Sequence, residues 1–223
     1  MITVDHTILQ KKVVRTPVLP DVDFLDRGKI TKKLDNLTKY NLNEVCWSEL
    51  NHIPDTKFTI AYNADAIVVK YYVSEGYHQA TFTQPNDPVF KDSCVEFFIA
   101  IDDSGNYYNF EFNSLGTCLA SYGKDRNGRT KLDKGIINEI VCWVDWKEDP
   151  HTEMRFKWEL TVVLTPAVFI YNQITHFTSG RYKANFYKCG DDLAEPHYLA
   201  WNKIANPVRD FHQLDYFGLL LFD

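Results

Sequence analysis

The sequence predicts an all-β fold: an antiparallel sandwich of jelly-roll-like, immunoglobulin-like layers with little helix. Three observations carry that expectation. Apolar and polar residues alternate over many short segments, most clearly in Met154-Arg155-Phe156-Lys157-Trp158-Glu159-Leu160-Thr161-Val162, the pattern of strands with one buried face. Turn signals separate these segments, and helical periodicity is almost missing. Aromatic residues make up 15% of the chain, and such side chains suit pleated, half-buried surfaces.

Taken in order, residues 1–44 are expected to form an extension packed on the sandwich as an added strand. They begin with an extended stretch over 2–18 and end in a short polar stretch of helical character over 31–42. Phe58, Ile60 and Tyr62 then alternate with polar or small neighbours, Asn63-Ala64-Asp65 makes a turn, and residues 66–73 are a β-branched and aromatic run of strand length. Further strands are expected over 94–101, 107–113, 117–122, 136–144, 153–164, 181–188 and 216–222. A helical turn is expected over 166–171, with Thr165 as cap and Pro166 at the first helical position. No Gly/Ser linker, repeat or low-complexity tract interrupts residues 1–223, so a single domain is expected.

The 223 residues suffice for a large core: size scaling gives about 72% of the unfolded surface buried, without a disulfide or metal staple. A net charge of −6 argues against nucleic-acid binding, which draws on clustered Lys and Arg. No run of 18 apolar residues exists, and Met1-Ile2-Thr3-Val4-Asp5-His6 lacks the pattern of an export signal, so no membrane partner and a cytoplasmic location are expected. An exported protein freed of its leader would read the same. Cysteines 46, 94, 118, 142 and 189 show neither CxxC nor Cys/His ligand spacing and are expected to be buried reduced thiols.

The central hairpin allows its register to be derived. Asp102-Asp103-Ser104-Gly105 forms the loop, with Gly at the left-handed position. Pairing Ile101 with Asn106 sets Ile99 opposite Tyr108, Phe97 opposite Phe110 and Val95 opposite Phe112, one wholly apolar face. The other face then pairs Phe98 with Asn109, Glu96 with Glu111 and Cys94 with Asn113, and a slip of one residue would mix the two sets. Two carboxylates thus face each other about 5 Å apart, an arrangement that destabilises a sheet unless something compensates. The alternatives are a Lys or Arg from a neighbouring strand, a hard cation such as Ca²⁺, a shared proton with one raised pKa, or ligand hydroxyls. A solvated or salt-bridged outer face is equally open at this point. Because Phe98 and Tyr107 fall on the same face, its carboxylates, amides and flat rings also suit a sugar.

At these residues the chain resembles the carbohydrate-binding module family 9-like proteins, sandwich domains related to the wider DOMON group. The resemblance rests on Phe90-Lys91-Asp92-Ser93-Cys94-Val95-Glu96-Phe97-Phe98-Ile99 and on Tyr107-Tyr108-Asn109-Phe110-Glu111-Phe112-Asn113 with Gly116. It continues in Arg181-Tyr182-Lys183-Ala184-Asn185-Phe186-Tyr187-Lys188-Cys189, His197-Tyr198-Leu199-Ala200-Trp201, Phe211-His212 and Phe217-Gly218. It implies a sugar held between two aromatic rings and surrounded by carboxylate and amide side chains. Trp201 matches the downstream ring, and Phe90 stands where the upstream one belongs, a phenylalanine in place of the family's tryptophan. The expected site is a depression bordered by Glu96, Glu111, Asn113, Asn185, Tyr187 and Trp201, with Phe90 at its rim.

Other residues receive structural readings. Trp47 and Trp158 are expected in the core, His197 and His212 as satisfied structural histidines, and Asp191-Asp192 as a solvated turn in preference to a structural Ca²⁺ site. No cofactor is expected. The favoured function is non-catalytic binding of a mono- or oligosaccharide or a polysaccharide end by stacking and carboxylate hydrogen bonds. One alternative is a glycoside-active enzyme using Glu96 and Glu111, whose separation is the retaining geometry. Another is a haem-binding DOMON-type domain, for which Met154, read as inward on its strand, is the one internal methionine ligand.

Overall fold

Alternating side chains build two β-sheets that pack face to face in a computed structural model describing residues 11–20 and 22–223. Residues 1–10, and with them most of the extended stretch expected over 2–18, lie outside the described residues, as does residue 21. In chain order the first half comprises β1 (Val13–Thr16), α1 (Arg27–Asp35), β2 (Tyr40–Asn41), β3 (Glu44–Val45), β4 (Asp55–Tyr62), β5 (Ile67–Glu75), β6 (Cys94–Ala100) and β7 (Tyr107–Asn113). The second half comprises β8 (Cys118–Gly123), β9 (Thr130–Lys131), α2 (Lys134–Ile137), β10 (Val141–Glu148), β11 (Phe156–Leu164), β12 (Gly180–Cys189), β13 (Tyr198–Ala200) and β14 (Gly218–Phe222). The larger sheet runs β1-β14-β12-β6-β7-β8-β9, with β13 and β3 attached beside β12, and the smaller runs β10-β11-β5-β4-β2. This is the all-β sandwich that the alternation predicts.

Several expectations need correction. The sheets are not purely antiparallel, because β1 joins the edge strand β14 in parallel. The strand expected over 136–144 begins later: Asp133 accepts from Gly135 N at 2.7 Å and caps the short helix α2, which takes Ile136 and Ile137 out of the strand. Met154 precedes β11 and so does not sit on it. The helical turn expected over 166–171 is the single 3-10 turn Pro166–Val168, and the helix near residue 31 starts at Arg27 behind the cap Asp26.

The derived hairpin register is the observed one, from Cys94 opposite Asn113 to Ile99 opposite Tyr108. Gly105 closes the loop at φ 84°, a backbone conformation that costs glycine nothing. Val95, Phe97, Ile99, Tyr108, Phe110 and Phe112 are all buried in the core between the sheets. Phe186 of β12 joins the layers there, stacked on Phe58 of the facing sheet at 3.6 Å and on Phe97 at 4.9 Å.

Trp201 belongs to this inner core. Continuing the alternation of β13, Leu199 and Trp201 face inward while Tyr198 and Ala200 face outward. The indole lies edge-on to Phe58 and Phe186, and a Cβ on Gly218 would come within 2.4 Å of the ring, which is why glycine stands there. The expectation that Trp201 shares a face with Glu96 is therefore overturned by strand parity.

One ionic contact also crosses between the sheets. Lys188 of β12, wholly buried, sets its Nζ 2.8 Å from Glu75 Oε2 of β5, 2.8 Å from His197 Nε2 and 3.0 Å from the Cys189 carbonyl. Trp158 Nε1 donates to the other Glu75 oxygen at 2.7 Å. With Lys188 donating to Nε2, the proton of neutral His197 is on Nδ1, 3.2 Å from the Glu195 carbonyl. Burial first, and then the Lys188 charge, push the His197 pKa down to about 2.

Trp201→Ala should destabilise the protein by about 3–5 kcal/mol through cavity formation, read from urea unfolding; a loss below about 1 kcal/mol would contradict its core placement. The His197 linkage has a definite sign. The free side chain titrates near 6.5 and the folded one near 2, so stability from the neutral form is complete above about pH 6.5 and falls by about 1.4 kcal/mol per pH unit below it. Between about pH 6.5 and 4.5 the wild-type protein should lose stability at that rate relative to His197→Gln, which keeps an acceptor for Lys188; parallel profiles would refute the linkage.

Candidate functional site

The register that buries the apolar face turns Cys94, Glu96 and Phe98 of β6 and Asn109, Glu111 and Asn113 of β7 to the outer face of the larger sheet. That face is not open to solvent: all six residues are buried. Loops roof it and form a second apolar cluster in which Phe98 and Tyr107 are fully enclosed. Phe98 is packed among Tyr107, Tyr187 and His212, so these rings support the face from within.

Between the roofing loops a depression of about 410 Å³ remains, within the range of small-ligand sites. Glu96, Glu111, Asn109, Ser121 and Cys189 contribute to its floor. Trp47, Phe90, Tyr198, Phe211 and His212 supply aromatic walls, and Arg126, Arg129, Lys131, Arg209, Asp191 and Asp210 the remaining charge. Trp47 holds a left-handed backbone, φ 55°, unusual for a bulky residue and a feature that concentrates at functional sites. Its ring packs on Phe211 at 5.5 Å, and its Nε1 donates to the Asn206 carbonyl at 2.5 Å.

Glu111 is held by a chain of hydrogen bonds. Asn109 Nδ2 donates to Glu111 Oε1 at 2.7 Å, and Arg129 Nε donates to Asn109 Oδ1 at 2.9 Å. The other four guanidinium N–H bonds go to the carbonyls of Gly123, Asp125, Tyr107 and Ser121, with the guanidinium 4.3 Å over the Tyr107 ring. Arg129 thus spends its five donors on β7, on β8 and on the loop that follows it, while Glu111 Oε2 has no hydrogen-bond partner among the described residues. Cys189 Sγ donates to Glu96 Oε1 at 3.1 Å.

Burial pushes Glu96 well above the ordinary carboxylate range, reinforced by Cys189 and Glu111. It also pushes Glu111 up to about 7, against the Asn109 hydrogen bond and the Arg129 charge. Of the compensations open at the sequence level, protonation of one member fits this pair: a neutral Glu96 can donate where Glu111 accepts. Asp191 is raised by burial against the pull of Arg209.

The seven residues expected at the site divide into three groups. Phe90, Glu96 and Glu111 line the depression. Tyr187 lies under it, stacked on Phe211 at 4.1 Å with its hydroxyl donating to the Phe211 carbonyl. Asn113, Asn185 and Trp201 do not border it. Asn113 donates to the Phe82 carbonyl and to Asp92 and accepts from the amides of Leu115 and Thr117; Asn185 donates to the carbonyls of Asn202 and Tyr216 and accepts from the amides of Phe186 and Asn202. Their hydrogen-bonding capacity is consumed by the fold. Asp92 is structural too: burial opposes its charge, but donors on Phe82, Asn113 and Thr81 outweigh burial and hold its pKa below the usual range.

Sequence reasoning missed Trp47, read as core, and the loop arginines. The two glycines and two arginines of Gly123-Lys124-Asp125-Arg126-Asn127-Gly128-Arg129 are a turn signal that could have drawn attention to that loop. His212 lines the depression while also meeting the Tyr107 hydroxyl at 3.0 Å.

Comparison with known proteins adds a lineage to this geometry. The sequence model described as carbohydrate-binding family 9 matches residues 28–222. The structure is similar to that of a proposed carbohydrate-binding protein from Bacteroides uniformis ATCC 8492, at TM-score 0.85 and 27% identity over 96% of this chain and 100% of that one. A family 9 module from Caldicellulosiruptor kristjanssonii in complex with glucose aligns at TM-score 0.59 and 12% identity, over 95% of this chain and 96% of that one. In complex with cellotriose it aligns at 0.60 and 11%, over 95% and 93%, identities at which the likeness is one of fold. No curated protein matches the sequence.

The consumed hydrogen-bond capacity of Asn113 generates a prediction. Asn113→Ala should destabilise the protein by about 2–4 kcal/mol, because it strands buried donors and acceptors on several neighbours; a near-neutral result in chemical denaturation would contradict the structural role.

Proposed function

The chain belongs to carbohydrate-binding family 9, and on that premise we propose that the depression over Glu96 and Glu111 binds a sugar, a monosaccharide or the end of a longer glycan, without breaking a bond in it. The observation that carries the reading is the floor carboxylate: Glu111 is oriented by Asn109 through one oxygen and has its second oxygen unpartnered among the described residues, beside half-buried aromatic rings, Trp47 and Phe90. A sugar offers what such a site lacks. Its hydroxyls donate to a carboxylate, and its C–H face packs on a flat ring. Glu96 and Glu111 are only 3% and 5% exposed, so they contact a ligand from below, as hydrogen-bonding partners at a fixed floor.

Glucose and cellotriose, the ligands held by the fold neighbours, are the first probes for calorimetric titration. At least one should bind the wild-type protein. Trp47→Ala and Glu111→Gln should each weaken binding by tenfold or more, about 1.4 kcal/mol, with circular dichroism unchanged. Affinity indifferent to both substitutions would move the site elsewhere, and failure of these sugars and of a wider glycan panel to bind would overturn the reading.

A further inference from the structure

At the floor of the depression, beside carboxylates that the sugar reading uses, lie two thiols that it does not. Cys94 and Cys189 are direct cross-strand partners on β6 and β12, and Glu96 follows Cys94 by two residues on the same face. The two sulfurs and a Glu96 carboxylate oxygen lie within 4.8 Å of one another, in a buried group. The next carboxylate along the sheet, Glu111, stands opposite Glu96, is itself 5% exposed and leaves Oε2 unpartnered among the described residues. Two thiols and two carboxylates are thus gathered on four neighbouring sheet positions. Arg129, the charge beside Glu111, directs its five donors to other groups.

We propose that Cys94, Cys189 and Glu96 form a binding site for a thiophilic divalent cation of the zinc class. The donor chemistry selects the ion: sulfur ligands disfavour Ca²⁺ and Mg²⁺, which take oxygen, and suit a d¹⁰ ion bound by two thiolates and a carboxylate. Tetrahedral bonds of about 2.0–2.3 Å set ligand atoms about 3.3–3.8 Å apart, so the observed group closes on an ion by small side-chain rotations. Glu96 and Cys189 border the depression, which gives the ion a path from solvent and leaves its fourth position toward an exchangeable oxygen ligand. Binding converts both thiols to thiolates and the neutral Glu96 carboxyl to its carboxylate, so three protons per ion leave the site, with no change of oxidation state. The spacing of these residues in the sequence gives no hint of the site, because the two cysteines come together only through pairing of β6 with β12. The inference shares Glu96 with the sugar reading, but it is carried by the two thiols, and its cobalt test reads thiolate ligation without any sugar present.

The test is titration of the reduced full-length chain with Co²⁺, followed by thiolate-to-cobalt charge-transfer absorption and by proton release in weak buffer. One ion per chain, a charge-transfer band, release of three protons and displacement by Zn²⁺ are expected. Cys189→Ser should lose the band and bind at least tenfold more weakly. A variant with Cys46, Cys118 and Cys142 all changed to Ser, leaving Cys94 and Cys189 as its two thiols, should keep the band. Absence of the band in the wild-type protein overturns the proposal, as does its survival in Cys189→Ser. If Cys189→Ser does not fold, the triple variant decides: loss of the band there assigns the metal to other cysteines.

Discussion

The apolar pairing of Val95, Phe97 and Ile99 with Phe112, Phe110 and Tyr108 is the constraint on which the site depends. Burying these six side chains contributes on the order of 10 kcal/mol, and a one-residue slip would turn all three strand positions outward. The opposition of Glu96 and Glu111 follows from that register. Burial, first among the causes, raises both carboxyls, Glu111 to about 7 and Glu96 well above the ordinary range. The core sets the register, and an otherwise unfavourable pair of acids is held on the opposite face, ready for a proton, a hydroxyl or a cation.

The larger sheet works as a two-sided floor. Its inner side is closed by the smaller sheet, through the Phe58–Phe186 stack and the buried Lys188–Glu75 contact. Its outer side is closed by loops, through rings such as Phe98, Tyr107 and Tyr187. Lys188 and Cys189 are consecutive, one pointing into the sandwich and the other to the depression, so the ionic contact that joins the sheets also fixes the strand end carrying the floor thiol. The walls come from loops: Trp47 from the chain after β3, Phe90 from the turn before β6, and Phe211 and His212 from the segment before β14. A rigid floor under loop-borne walls places precise acceptors beneath contacts that can vary.

The hairpin was legible in the sequence because its two faces differ in chemistry at every pair and its turn carries Gly105 where a left-handed backbone is needed. The fate of individual outer-face residues was not. Asn113 and Glu111 share a face, and only the loop carrying Phe82 and Asp92 decides that one is spent on the fold while the other meets the depression. Trp201 was misplaced for a related reason. Its side follows from the parity of β13 against β12, with Tyr187 opposite Ala200, a register that three residues of strand cannot announce. Trp47 was hidden more deeply, because a left-handed tryptophan leaves no trace in periodicity. The fold was thus readable from local alternation, whereas the site required knowing which loops cross the sheet.

The central claim, that the sugar site is the roofed outer face of the larger sheet, is tested most directly by the indole N–H resonances of the five tryptophans during titration with a bound glycan. Trp47 borders the depression, Trp158 and Trp201 lie in the inner core, and Trp146 is 44% exposed beside the edge of the smaller sheet. A large shift at Trp47 with Trp146, Trp158 and Trp201 unmoved is the expected result. A shift at Trp146 with Trp47 silent would contradict the account.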